Sequence, residues 1–133
     1  MRPQPNVEIS TEQPELQRRI ELGAVVPARW PDEVVKRFAS YLSAQSNLPW
    51  TNYTWLGTGH TIPCDSWLNP EFTFALLQSE HSAVPTPGLD PQLEDPVSIL
   101  WFVPISATER QKAIDRGSSH LKRTLPANRW KHA

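Results

Sequence analysis

The chain has 133 residues, 38% of them hydrophobic, and a formal net charge of −1. That length suits one domain burying roughly two-thirds of its unfolded surface, and six Trp, four Phe and two Tyr supply large core pieces. A lone cysteine, Cys64, excludes an internal disulfide and a multi-cysteine zinc site; the longest apolar run, 99–103, is far below the ~20 residues of a membrane helix; and no signal-type leader follows Met1, so a soluble, cytoplasmic protein is expected.

Fourteen prolines, about twice the usual ~5%, punctuate short elements and disfavour a helical bundle. One domain is expected over 1–133, with residues 1–9 as a loose N-terminal arm. Residues 10–23 read as a short helix: Ser10 or Thr11 caps it, Pro14 suits its first turn, Leu16 and Ile20 lie four apart, and Gly23 stops it. Residues 25–29 are extended around Pro27. The segment 30–42 predicts a clearer helix, with Pro31 near its start, Asp32 and Glu33 in its first turn, and Val34, Phe38, Tyr41 and Leu42 on one face.

The pattern then changes to strands. Residues 52–56 are aromatic and β-branched and run into Gly57-Thr58-Gly59, a tight turn or bulge. Residues 60–62 continue as a short extended piece. Residues 72–78 make a strand with Phe72, Phe74 and Leu76 on one face and Thr73, Ala75 and Leu77 on the other. Residues 80–96 read as a long loop, and 97–103 as a central strand buried on both faces, ended by Pro104. Ser106-Ala107-Thr108-Glu109 is a capping box that opens a helix to Arg116, with Gly117 as its left-handed cap. Ser118 then caps a helix over 119–125, which Pro126 stops. Residues 126–133 read as a mobile tail, with Trp130 a candidate for docking. The fold class is α+β, a mostly antiparallel β-sheet with helices packed on it.

Charge is unevenly placed. Residues 60–106 carry six acids and no Lys or Arg, whereas 107–133 carry seven cations against Glu109 and Asp115. The middle segment suits either an acidic surface that attracts a basic partner or loops kept acidic for solubility. The basic end is too sparse for nucleic acid and suits helix C-termini.

Little in the sequence points to catalysis. His60, His81, His120 and His132 share no metal-ligand spacing with a second His or an acid on one element, so neither a metal nor a cofactor is expected. Cys64 and His60 are four apart and form a thiolate pair in principle, because a nearby imidazolium lowers a thiol's pKa; a free Cys is more often an inert small hydrophobe. Gly57-Thr58-Gly59 lacks the third glycine and the lysine of phosphate-binding loops. The tryptophans suit a core or a protein contact better than a stacking platform.

Four blocks carry a family resemblance. They are Trp30-Pro31 through Phe38-Ala39-Ser40-Tyr41-Leu42, then Trp55-Leu56-Gly57-Thr58-Gly59-His60-Thr61-Ile62-Pro63, then Phe74-Ala75-Leu76-Leu77. The last is Ile99-Leu100-Trp101-Phe102-Val103-Pro104-Ile105-Ser106 with Glu109, Gly117 and Leu121. In this order, over about residues 22–125, they resemble the suppressor-of-fused (SUFU) domain. The family's domain usually carries further N-terminal strands, so the sheet here is expected to be shorter or to have an edge covered by a partner or a second copy.

The resemblance implies a non-catalytic protein-interaction domain. Animal members sequester transcription factors by gripping a short peptide, and some bacterial members resemble immunity proteins that neutralise a toxin. The leading expectation is therefore a bacterial, single-domain protein that masks a protein partner, with a toxin domain as the candidate. The contact residues are expected to include Tyr41, Trp55, Thr58, His60 and Glu80, with His60 equally suited to fixing the turn. The competing readings are a small hydrolase or thiol enzyme using Cys64 and His60, and a structural homodimer joined through an exposed sheet edge. Neither membrane nor nucleic-acid binding is expected.

Overall fold

The computed structural model describes residues 19–47, 56–84, 97–126 and 129–133. Its centre is a four-stranded sheet of β1 (Arg19–Ala24), β2 (Thr61–Pro63), β3 (Phe72–Gln78) and β4 (Val97–Ser106), in the order β1-β4-β3-β2. β4 pairs antiparallel with β3, as β3 does with β2, while β1 lies parallel to β4. The sheet is therefore mixed, and its antiparallel majority and packed helices match the α+β expectation.

Helices cover both faces. On one, α1 (Asp32–Gln45) places Phe38 on Leu100, Phe102, Ala75 and Leu77, with Trp30 and Trp67 beside it. The Phe38 and Trp67 rings are 4.6 Å apart, and Phe102 meets Phe38 edge-on at 6.3 Å. On the other face, α2 (Ala107–Arg116) and α3 (Ser118–Thr124) set Ala113 and Leu121 against Leu76, Val103 and Ile105. The two-residue alternation of β4 thus feeds two cores, as expected of a central strand. The apolar stripe of α1 also faces inward as its spacing predicts, with Lys36, Arg37 and Ser40 exposed.

The sequence reading needs correction at several points. Residues 19–23 of the expected helix 10–23 lie in strand β1, and 10–18 lie outside the described residues. A period of two overrides the single i, i+4 pair there, because Ile20, Leu22 and Ala24 pack toward the α1 core. Gly23 stops no helix. It sits under the Trp101 ring, whose Cε3 and Cζ3 would lie 2.9 Å from any Cβ placed there. Residues 52–55 also lie outside the described set, and Leu56 is not in a strand.

β3 begins and ends where the residues predict, but its faces differ. A register shift between Phe72 and Phe74 sets two residues of β3 against one of β4. This bulge turns Phe72 toward the α1 core with Ala75 and Leu77, leaving Phe74 and Leu76 on the α2–α3 side. Pro104 does not end β4: it pairs with Ala75, and the strand runs to Ser106. β1 stops opposite Phe102, so no described strand asks the missing proline N–H for a bond on that side.

The capping box forms as predicted. The Glu109 N–H donates to Ser106 Oγ at 3.2 Å, and Glu109 Oε1 accepts the Ser106 N–H at 2.9 Å. Gly117 follows α2 with φ +88° and ψ +149°, an extended mirror conformation and not the left-handed helical cap expected. Ser118 is the first residue of α3 and its hydroxyl caps nothing there. The segment read as a tail contains a 3-10 helix, Arg129–His132. Its Arg129 forms a bidentate pair with Glu109 at 2.8 and 2.6 Å, and the carbonyls of Lys131, His132 and Ala133 accept bonds from Arg29 and Asn69.

Candidate functional site

The turn before β2 is built into the sheet. Its Gly59 N–H donates to Leu77 O at 2.7 Å, and the Leu77 N–H donates to His60 O at 2.8 Å, continuing the β2–β3 ladder. Within the turn, the Gly57 N–H donates to His60 Nδ1 at 3.3 Å. Gly59 has φ +91°, a conformation that favours glycine. The Ser118 hydroxyl donates to Gly59 O at 2.5 Å, and a Cβ on Gly59 would lie 3.1 Å from Ser118 Oγ. The Gly-x-Gly-His block and the Gly117 junction are 59 residues apart in sequence and touch in space.

Beyond this contact a groove runs between the end of β3 and α3. Near the turn it encloses about 240 Å³, with Thr58 and Ser118 on its walls. Further along it encloses about 330 Å³, with Glu80, His81 and Trp130 on its walls. Gln78 and Lys122 line both parts. Lys122 reaches Glu80 at 3.8 Å, with the two side chains 47% and 61% exposed.

Two buried polar side chains point into the groove. Gln78 shares the α2–α3 face with Leu76 by strand alternation. It is 8% exposed. His81 is 7% exposed. Its Nδ1 accepts the Ala83 N–H at 3.0 Å, and its ring lies 5.9 Å from Trp101 and 6.2 Å from Trp130. Burial lowers the pKa of His81, as it does that of His60. The neutral ring of His81 therefore carries its proton on Nε2.

The structure gathers some of the sequence-predicted contact residues and separates others. Thr58 and Glu80 line the same groove, and His60 sits at the base of the turn. Tyr41 lies on the opposite, α1 face, where its hydroxyl donates to Pro63 O at 2.5 Å. Burial, reinforced by Cys64, raises the Tyr41 pKa far above its ordinary value. Trp55 lies outside the described residues. The acids Glu94 and Asp95 lie outside as well, and Glu80 is matched to Lys122, so the described surface at this point is not simply acidic.

Cys64 is 1% exposed in the α1 core, and burial is the largest cause of its raised thiol pKa. Neither property suits a nucleophile, which needs a thiolate and access. Among the described residues no group of three or more His, Cys, Asp or Glu is placed to hold a metal ion. No helix there is long and apolar enough to cross a membrane. Gln78, His81, Lys122 and Trp130 were not singled out by sequence as groove residues. The available signal was a glutamine on the apolar inner face of β3; His81 carried none, because its burial depends on Trp101 and Trp130.

Helices cover both faces of an α+β sheet, and a polar-lined groove lies beside α3. The chain belongs to the suppressor of fused family: the model for "Suppressor of fused protein (SUFU)" matches residues 1–131, and the family is one of protein-interaction domains. No curated protein and no solved structure matches the chain.

Proposed function

We propose that the protein acts by covering a protein partner, using the groove beside α3 as a contact surface, and that it is a bacterial immunity-type protein whose partner is a toxin domain. The observation that carries the binding reading is the groove itself, which has Thr58 in one part and Glu80 in the other, with Gln78 and Lys122 lining both. Family membership supports the same reading. Specific interfaces of this kind bury ~800 Å² per partner around a few aromatic or charged anchors, and Trp130 and Lys122 are suited to that role. His60 belongs to this proposal as the residue that shapes the turn and Trp55 as a further contact, whereas Tyr41, on the opposite α1 face, is set aside.

A photo-crosslinking amino acid at Thr58, and in a second variant at exposed Val35 on α1, tests the surface in the native cell. One partner captured at position 58 and absent at position 35 supports the reading; equal capture at both sites refutes it. The immunity reading then requires that the captured partner, expressed alone, arrests growth, and that co-expression of this chain restores it. A harmless partner removes the immunity assignment and leaves the binding function.

A further inference from the structure

His81 sits where three parts of the structure meet. It begins a turn over residues 81–84, which its carbonyl closes on the Val84 N–H at 3.1 Å. Its ring lies between Trp101 of β4, at 5.9 Å, and Trp130 of the closing 3-10 helix, at 6.2 Å. Trp101 in turn lies across Gly23 of β1. The ring is thus a wedge between the sheet and the 3-10 helix, and it lines the wider part of the groove with Ser82 and Trp130. It is held there as an acceptor. Nδ1 takes the Ala83 N–H at 3.0 Å, so the neutral ring keeps its proton on Nε2 and a second proton must enter at Nδ1. An imidazolium has only donors. Nδ1–H would then face the Ala83 N–H, two donors in contact at a residue that is 7% exposed, and a buried donor left without an acceptor is costly. The ring relieves this contact only by turning out from between the two indoles.

The charges around the seat do not offset that cost. Glu80 precedes His81 but is matched by Lys122 of α3, and Arg129 of the 3-10 helix is held by Glu109. On the same 3-10 helix Lys131 lies 5.6 Å from the Trp130 ring, and His132 is exposed. From β1, Glu21 shares the sheet face of Gly23 by strand alternation and is exposed to solvent. Burial is therefore the cause that keeps the His81 pKa below its ordinary value.

We propose that His81 is a proton-operated latch on the groove: when Nδ1 takes a proton, turn 81–84 lets go of the ring, the ring leaves its seat between Trp101 and Trp130, and the wider part of the groove opens. Below the ordinary value of 6.5 the open form binds the proton and the closed form does not. Each pH unit then favours opening by about tenfold until the open form prevails. The latch is a property of the chain alone and does not depend on what the groove binds.

The test follows the isotope-labelled full chain by NMR from about pH 7.5 to about pH 5. The His81 ring nitrogens, the Ala83 amide and the Trp130 indole should titrate with one shared midpoint below 6.5. The hydrogen-exchange protection factor of the Ala83 amide should fall by up to about tenfold per pH unit. The amide of Phe38, in α1 on the other face of the sheet, should hold its position. His81→Asn is the matching variant. Its Oδ1 can accept the N–H two residues on and takes no proton in this range, so the Ala83 and Trp130 signals should stay flat. Separate midpoints for the ring and its two neighbours overturn the proposal. So does an Ala83 bond kept by the protonated ring, the same pH response in His81→Asn, or collapse of the whole spectrum before the ring titrates. Should the variant not fold, the titration of the parent still decides. With no partner present, failure of the latch leaves the protein-binding reading as it stands.

Discussion

Replacing Glu109 should destabilise the protein more than any exposed carboxylate would, because one side chain holds two distant pieces of chain. Its Oε1 closes the capping box on the Ser106 N–H, and both oxygens receive Arg129. The paired side chains are 17% and 19% exposed, so solvent screening is weak. Loss of the Ser106 N–H bond to the carboxylate costs about 1 kcal/mol, and loss of the charge-assisted pair about 1.5–3 kcal/mol. Glu109→Ala should therefore lower stability by about 2.5–4 kcal/mol, or roughly 8–15 °C in melting temperature for a chain of this size. Glu109→Gln keeps an acceptor for Ser106 and should lose only the second contribution. Arg129→Ala should cost about 2–3 kcal/mol, because it also removes the guanidinium stacked 5.1 Å over the Phe72 ring. Urea unfolding followed by tryptophan fluorescence measures each variant, and the Glu109–Arg129 double-mutant cycle isolates the pair. A coupling energy below about 0.5 kcal/mol would refute the reasoning and reduce the closing 3-10 helix to a surface contact.

Gly59→Ala should cost more stability than Gly117→Ala. Both glycines have positive φ, which carries about 1–3 kcal/mol of strain for a side chain, but only at Gly59 would the new Cβ also press on Ser118, while Gly117 opens on free space; equal losses in calorimetry would remove the steric argument. Stability should also depend on pH. The folded-state pKa values of His81 and His60 are lowered by burial, so below the ordinary value of 6.5 the unfolded chain binds more protons. Their contribution is thus complete above that pH and is lost as pH falls through the folded values. His81→Asn should flatten urea midpoints measured between pH 7.5 and 5, and an unchanged slope would contradict the assignment. Cys64 should react with a thiol reagent at pH 8 only as fast as the protein opens, because its raised pKa and burial leave neither thiolate nor access. Rapid labelling of the native protein would return the thiol-enzyme reading to consideration.

Local signals were legible in the residues because their causes are local. The amphipathic stripe of α1, the Ser106–Glu109 box and the limits of β3 each depend on neighbours within a few positions. Gly57-Thr58-Gly59-His60 announced a turn for the same reason. The failures were long-range. Gly23 looked like a helix stop until the Trp101 ring was found lying across it, and Pro104 looked like a strand end until β1 proved too short to need its N–H. The groove was still less visible, because Gln78 and Lys122 meet only after β3 and α3 pack.

The amino-acid pattern alone determined the α+β class and the Ser106–Glu109 capping box, since propensity, periodicity and capping act over one or two turns of chain. Tertiary packing decided the parallel seating of β1, the flip of Phe72 and the burial of His81. It also set the meeting of Gly59 with Ser118 that shapes one end of the groove. Each depends on contacts between segments far apart in sequence, whose geometry exists only once both faces of the sheet are covered.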